Sequence, residues 1–114
     1  MVKRLKVGPR MSQIVIHGDT VYLAGIVADD PSADVAGQTR QILGKIDGFL
    51  KEAGTDKTKI LMATIWLSDI KTFDQMNSVW DTWVPQGHTP ARACVESKLA
   101  APQYKVEIRV IAAV

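Results

Sequence analysis

The first 25 residues alternate between short apolar runs and turn sequences in a way that predicts three strands. Residues 2–6 form a short, basic segment, which suits an edge strand. An apolar run at residues 14–16 leads into a Gly-Asp turn at residues 17–20, and a second apolar run follows at residues 21–25. Two β-rich runs around such a turn predict a hairpin.

A helical period replaces this alternation in the next segment. Asp34 is a favourable N-cap, and Gly54 occupies the position of a helix-terminating glycine. Between them, apolar residues recur at helical spacing and predict one buried face over residues 35–53. This face consists of Val35, Ile42, Leu43, Ile46, Phe49, Leu50 and Ala53.

The second half of the chain predicts a buried strand and a second helix. Residues 60–67 are apolar at both odd and even positions, which is typical of a strand covered on both faces. Asp69 or Thr72 can begin the helix that follows, and Pro85 and Gly87 end it. Its buried stripe consists of Phe73, Met76, Val79, Trp80 and Trp83.

Two closing strands, at residues 91–97 and 104–113, complete a β-β-β-α-β-α-β-β order within one domain spanning residues 1–114. A strand, the first helix of about 19 residues and a further strand predict a right-handed crossover between parallel strands. Two helices cover only one face of such a sheet, yet several strands are apolar on both faces. The uncovered face would expose a large apolar patch, so we expect a homo-oligomer in which these faces pack together.

Composition excludes several classes of protein. The 114 residues are 46% apolar and 23% charged, as in ordinary globular domains, and the net charge of +2 is too weak to indicate a nucleic-acid partner. The apolar runs are too short to span a membrane, and the basic amino terminus lacks the apolar core of a signal peptide. We therefore expect a cytoplasmic protein. Cys94, the single cysteine, excludes an intramolecular disulfide.

Motifs for nucleotide, metal and serine chemistry are missing. The chain contains no GxxxxGK[ST], GxGxxG, HExxH or GxSxG sequence, and His17 and His88 are far apart. Nucleotide-phosphate binding therefore has no support, and the two histidines are more simply turn or loop residues than metal ligands. A nucleophilic pair of Cys94 and His88 is one hypothesis, but a lone cysteine in a strand is more often a small buried hydrophobe. The basic residues near the amino terminus carry no interleaved aromatics, which disfavours binding of single-stranded nucleic acid.

Charged residues in the two closing strands are the informative feature of the sequence. Arg92, Cys94 and Glu96 share one face of the first, and Glu107 lies in the second. Because the two strands are close in sequence, we expect them to be neighbours, with Arg92 near Glu107 on the face left bare by the helices. If oligomerisation buries this face, Arg92 and Glu107 become partly buried charges. Such charges are rare unless they are paired or functional. The pattern alone favours a cross-strand ion pair.

The same segment resembles a known family. The run Pro90-Ala91-Arg92-Ala93-Cys94-Val95-Glu96, followed by Leu99 and by Val106-Glu107-Ile108, is similar to the closing signature of the reactive intermediate deaminase (Rid, formerly YjgF) family. The similarity extends through residues 23–25, 34–39 and 73–83 and covers nearly the whole chain.

This resemblance implies a fold and an activity. The fold would be a chorismate-mutase-like α+β domain with two helices on one face of its sheet. Three copies would form a homotrimer whose sheets make a central barrel, with a cleft at each subunit interface. The activity would be hydrolysis of 2-imino acids and their enamine tautomers to 2-oxo acids and ammonia, without cofactor or metal. The partner would be a small imino acid, not a nucleic acid or a membrane.

The resemblance also assigns roles to individual residues. Arg92 would bind the substrate carboxylate, a task for which its planar fork of donors is well suited. Glu107 would hold and activate the attacking water as a general acid–base. The main chain at Cys94 would contact the imine nitrogen, Gly25 would allow close backbone approach, and Asn77 would line the cleft.

Two departures from the family pattern bear on the substrate. Arg10 stands where related deaminases commonly have a tyrosine that approaches the substrate side chain, and Ala24 stands where they often have a serine. A second cation beside Arg92 would suit a substrate with two anionic groups. The alternative is that Arg10 turns outward and is solvated on the amino-terminal loop. Two rival functions are a non-catalytic protein that binds small carboxylates and RNA cleavage, an activity sometimes attributed to the family. Glu107 favours the enzyme over simple binding.

Overall fold

The computed structural model describes residues 1–114 and contains the six strands and two helices in the predicted order. The strands are β1 (Val2–Val7), β2 (Ser12–His17), β3 (Thr20–Leu23), β4 (Ile60–Leu67), β5 (Ala91–Glu96) and β6 (Val106–Ala113). The helices are α1 (Val35–Glu52) and α2 (Phe73–Trp83), and one 3₁₀ turn precedes each of β4 and α2. Neither helix has the length and hydropathy needed to cross a membrane.

The predicted boundaries of α1 are confirmed by its caps. The Asp34 side chain accepts a hydrogen bond of 2.8 Å from the amide of Gly37. At the other end, Gly54 has φ +83°, and the Thr55 amide donates to the Leu50 carbonyl at 2.9 Å, so the last turn is closed by a left-handed residue. These caps fix where α1 begins and ends against the sheet.

The order of strands in the sheet is β1-β2-β3-β6-β4-β5, and only β4 and β5 run parallel as neighbours. The prediction that β5 and β6 are neighbours is wrong, because β4 lies between them. The connection from β4 through α2 returns the chain to a parallel strand at the edge, and β6 then pairs with β4 on its other side. This places β5 at one free edge of the sheet and β1 at the other.

Both helices lie on one face of the sheet and cover the core. The buried strand residues on this face belong to every second position of the central strands and pack against the apolar stripe of α1 and against Met76, Val79 and Trp80 of α2. They are Ile14, Val21, Leu23, Ile60, Ala63, Ile65, Leu67, Val106, Ile108, Val110 and Ala112. A bulge between Ile60 and Met62 brings Ile60 into the core and leaves Leu61 exposed.

The opposite face of the sheet has no covering element and is apolar, as the sequence predicts. Tyr22, Met62 and Val95 lie on this bare face and are 40%, 43% and 46% exposed. Val15, Trp66 and Ile111 are half-buried beside them. The α+β fold is therefore as predicted, while the trimeric barrel stays a prediction.

Candidate active site

Arg92 lies on the edge strand β5 and on the helix-covered side of the sheet. Its partner in the parallel register is Ala63, which is fully buried under the helices. Paired residues of neighbouring strands point to the same face. The predicted position of Arg92 on the bare face is therefore wrong, because that prediction depended on the order of the strands.

The guanidinium of Arg92 contacts one face of α2. Its Nη1 donates a hydrogen bond of 2.7 Å to Oδ1 of Asn77. Its Cζ lies 5.7 Å from the ring centroid of Phe73 and 5.3 Å from that of Trp80. The spacing of 73, 77 and 80 places all three side chains on one side of the helix. Arg92 and Asn77 are therefore in contact within one copy, while the predicted position of Asn77 in an intersubunit cleft stays a prediction.

These contacts leave most of the guanidinium free to bind a ligand. Arg92 is exposed, and Asn77 is its only hydrogen-bond partner within the chain. Nε and Nη2 on the other side of the group therefore remain available as two parallel donors. That pair matches the two oxygens of a carboxylate.

Glu107 lies on the bare face of the sheet. It pairs with Trp66 of β4, whereas the neighbouring Ile108 points into the core. It is half-buried, and its side chain forms neither a hydrogen bond nor an ion pair within the chain. The predicted ion pair with Arg92 is absent, because the two residues occupy opposite faces on strands separated by β4, at least about 10 Å apart.

Gly25 makes room for Glu107. A Cβ atom placed on Gly25 would lie 3.1 Å from Cδ of Glu107 and closer still to its Oε2. Any side chain at position 25 would displace the carboxylate. The structure therefore brings two of the predicted site residues together on the bare face, separately from the group around Arg92.

Cys94 is on the same face as Arg92 and packs against the core cluster. Burial raises the pKa of its thiol, and the charge of Arg92 offsets only part of that effect. The thiol is therefore protonated at neutral pH and is a poor nucleophile. This result supports the interpretation of Cys94 as a small hydrophobe. Cys94 and His88 are not in contact, so the hypothesis of a nucleophilic pair gains no support.

The main chain at Cys94 faces the free edge of the sheet. The Ser97 amide donates to the Leu67 carbonyl, so every second residue of β5 directs its N–H and C=O groups to β4. The intervening residues Arg92, Cys94 and Glu96 direct theirs outward. A hydrogen-bond donor and an acceptor are therefore available beside the arginine fork.

Arg10 lies far from this group in the same chain. It is exposed in the turn between β1 and β2, at the opposite edge of the sheet from β5. It makes no ion pair. The structure therefore does not bring Arg10 to Arg92 within one copy. No group of three or more His, Cys, Asp or Glu side chains is arranged to hold a metal ion.

The cavities of the single chain lie elsewhere. The highest-volume ones, of about 440 and 360 Å³, border α1 and the loop after β5, and neither is lined by Arg92, Glu107 or Asn77. A third, of about 320 Å³, lies between the helices. One copy of the chain therefore encloses no pocket around the predicted site residues.

Phe73 and Trp80 are the site residues that sequence reasoning missed. Both belong to the stripe predicted to be buried, and Trp80 is indeed only 4% exposed. The signal was present in the helical spacing of 73, 77 and 80, which puts both rings on the same side as Asn77. It could be used only once Arg92 was known to face α2.

A six-stranded mixed sheet with two helices on one face, and an arginine presented on its edge strand, together define a small α+β domain. A family model described as Endoribonuclease L-PSP matches residues 1–114. The chain therefore belongs to this family, in which the YjgF and Rid proteins are grouped.

Individual relatives agree with this assignment. The chain is 42% identical over 114 residues to a RutC family protein from Haemophilus ducreyi, covering 100% of this chain and 97% of the relative. It is 34% identical over 107 residues to a rat protein named 2-iminobutanoate/2-iminopropanoate deaminase, covering 89% and 77%. It is also similar to the crystal structure of a YjgF-family protein from Neisseria meningitidis, with TM-score 0.97, 41% identity and coverage of 99% and 94%.

Proposed function

We propose that the protein is a cofactor-free deaminase that hydrolyses 2-imino acids, and their enamine tautomers, to 2-oxo acids and ammonia. The observation that carries this proposal is the free Nε–Nη2 edge of Arg92, beside outward-facing main-chain groups at Cys94. Relatives from rat and cattle, 34% and 35% identical, are named 2-iminobutanoate/2-iminopropanoate deaminase, which supports the choice of substrate.

Arg92 anchors the substrate through its carboxylate. Two parallel N–H···O bonds fix the position of the carboxylate and restrict its rotation. The imine carbon is bonded directly to the carboxylate carbon, so it is held close to the edge of β5. A fixed electrophilic carbon lowers the entropic cost of attack by water.

The main chain at Cys94 binds the imine nitrogen. Its outward N–H and C=O groups offer one donor and one acceptor, which match a nitrogen that gains protons as the reaction proceeds. The thiol takes no part. This arrangement explains why a cysteine with a raised pKa is compatible with the reaction.

Glu107 activates the water. As the water oxygen bonds to the imine carbon, the carboxylate takes a proton from the water and passes it to the imine nitrogen, which gives a carbinolamine with OH and NH₂ groups. The carboxylate then moves the hydroxyl proton to the nitrogen, so that the C–N bond breaks, ammonia leaves and the carbonyl of the 2-oxo acid forms. Water is the only co-reactant, and the carboxylate ends in its starting state.

Because Arg92 and Glu107 face opposite sides of one sheet, the complete site requires two copies of the chain. We propose a homotrimer in which the bare face of each sheet is buried against its neighbours. Each cleft then combines Arg92 from one copy with Glu107 from the next. The apolar bare face, with Tyr22, Met62 and Val95 exposed, supplies the driving force for this assembly.

A coupled assay tests the proposal. An amino-acid oxidase generates the imine, and release of ammonia is followed with and without the protein. We expect faster release with wild type, a loss of about 100-fold or more with Arg92→Ala, and poor rescue by Arg92→Lys, since an ammonium cannot replace the fork. EDTA should change nothing. A wild-type protein that binds 2-oxobutanoate without accelerating release would be the carboxylate-binding rival instead.

A further inference from the structure

The guanidinium of Arg92 contacts three side chains of α2, and two of them are aromatic. Asn77 holds Nη1, while the rings of Phe73 and Trp80 lie within 6 Å of Cζ. We propose that Phe73 and Trp80 are positioning residues, which hold the guanidinium in one orientation so that its Nε–Nη2 edge points outward. This inference rests on the proposed function, in which that edge binds the substrate carboxylate.

An arginine on an edge strand needs such contacts if its guanidinium is to keep one orientation. Its side chain is long and exposed, and a single hydrogen bond to Asn77 allows the group to swing about that contact. Two ring contacts add further restraints, and an aromatic face attracts a guanidinium without consuming its N–H donors. The group is thereby held before the substrate arrives, which reduces the ordering required on binding.

The ring of Trp80 that contacts Arg92 is itself held in place by the rest of the fold. Trp80 is only 4% exposed and lies 5.4 Å, centroid to centroid, from Trp83. The indole Nε1 of Trp83 donates a hydrogen bond of 2.9 Å to Asp47 on α1. A line of contacts therefore runs from α1 through two indoles to Arg92. Phe73, at the start of α2, is 36% exposed and is the more exposed of the two rings that contact Arg92.

Phe73 and Trp80 differ in how they can be tested. Trp80 belongs to the core, so its removal also affects folding. Phe73 is more exposed and can be shortened to leucine with less disturbance of the core. Phe49 offers a matched control, because it is a half-buried phenylalanine with the Lys6 ammonium 6.0 Å from its ring centroid, and it lies on α1 away from the site.

The test is the dissociation constant for 2-oxobutanoate, measured by calorimetry on the intact protein. We expect binding about three- to ten-fold weaker in Phe73→Leu and Trp80→Leu, near wild type in Trp80→Phe, and unchanged in Phe49→Leu. In an Arg92→Lys background, Phe73→Leu should have little further effect. The Arg92 Nε–H resonance in NMR spectra should lose the Phe73 contribution to its ring-current shift in Phe73→Leu and keep that of Trp80.

Equal affinity in wild type and Phe73→Leu overturns the inference, as does an equal loss in Phe49→Leu. If Trp80→Leu does not fold, Phe73→Leu and Trp80→Phe decide the matter. Binding is measured without turnover, so a protein that binds 2-oxobutanoate but hydrolyses no imine refutes the deaminase and leaves this test intact. A wild-type protein that does not bind 2-oxobutanoate removes the carboxylate anchor and overturns both.

Discussion

Arg92 and Glu107 occupy opposite faces of the same sheet. Arg92 is in register with Ala63 and Glu107 with Trp66, and these two residues of β4 point to different sides. The guanidinium therefore faces the helices while the carboxylate faces the bare side. Any site that uses both groups must take them from two copies of the chain, so the proposed catalysis depends on assembly.

Disrupting the bare face should separate the copies and abolish turnover together. Met62 is 43% exposed in one copy, so Met62→Asp leaves folding of the single chain largely intact but puts a charge into the proposed interface. Light scattering should report about three times 12.5 kDa for wild type and a smaller particle for the variant. Val114→Asp, at a similarly exposed apolar residue of the carboxyl terminus, is the control. A wild-type protein that is monomeric at micromolar concentration would contradict the interface.

Gly25→Ala should remove turnover while leaving carboxylate binding and assembly in place. The new Cβ would occupy the space of the Glu107 carboxyl group and push it away from the proposed water. Steady-state kinetics should show a lower kcat with little change in the affinity for 2-oxobutanoate. Gly44→Ala on α1 is the matched control, since its Cβ meets nothing within 4 Å and should stabilise the fold by about 0.5–1 kcal/mol. Full activity in Gly25→Ala would argue against Glu107 as the base.

Cys94 should prove dispensable as a thiol. Burial raises its pKa above the ordinary value of 9.0, so alkylation by iodoacetamide at pH 8 should be slower than in the unfolded chain. As the pH rises through 9.0, the unfolded chain ionises first, and the free energy of unfolding should fall. Cys94→Ala should lose that part of the decline in urea titrations at pH 8 and pH 10, and should retain turnover within about two-fold. Rapid alkylation that stops turnover would identify a reactive thiol.

Arg10→Tyr tests the departure from the family pattern. Arg10 lies at the opposite edge of the sheet from Arg92, so it reaches a cleft only through contact between copies. If it does, imines of dicarboxylic amino acids should be favoured over those of small apolar ones, and Arg10→Tyr should reverse the order by about ten- to a hundred-fold in the ratio of kcat/KM. An unchanged ratio would assign Arg10 to a solvated turn.

The elements of the fold were predictable because each has a local cause. The caps at Asp34 and Gly54 and the apolar stripe between them determine α1 from the sequence alone. The apolar character of residues 60–67 at both odd and even positions predicted a strand covered on both faces, but within one copy only one face of β4 is covered, and Leu61 and Met62 are exposed. The bulge at Ile60 and Met62 was not predictable, because it depends on the pairing of β4 with β6.

The face of the sheet on which Arg92 lies was not predictable for a related reason. Alternation shows that Arg92 and Cys94 share a face, but which face depends on the neighbour of β5. Proximity in sequence favoured β6, whereas the crossover through α2 pairs β5 with β4. The family resemblance identified the residues, and only the sheet order revealed that Arg92 and Glu107 point apart.

The most direct test of a site shared between copies is a mixture of two inactive variants. Arg92→Ala supplies an intact Glu107, and Glu107→Gln supplies an intact Arg92. Equal amounts are unfolded together in urea, refolded and assayed for ammonia release, beside each variant treated alone. In a cyclic trimer assembled at random, about a quarter of the clefts receive both intact residues. If each cleft combines Arg92 of one copy with Glu107 of the next, the mixture should regain about a quarter of wild-type turnover. A mixture no more active than the two separate variants would contradict a site shared between copies.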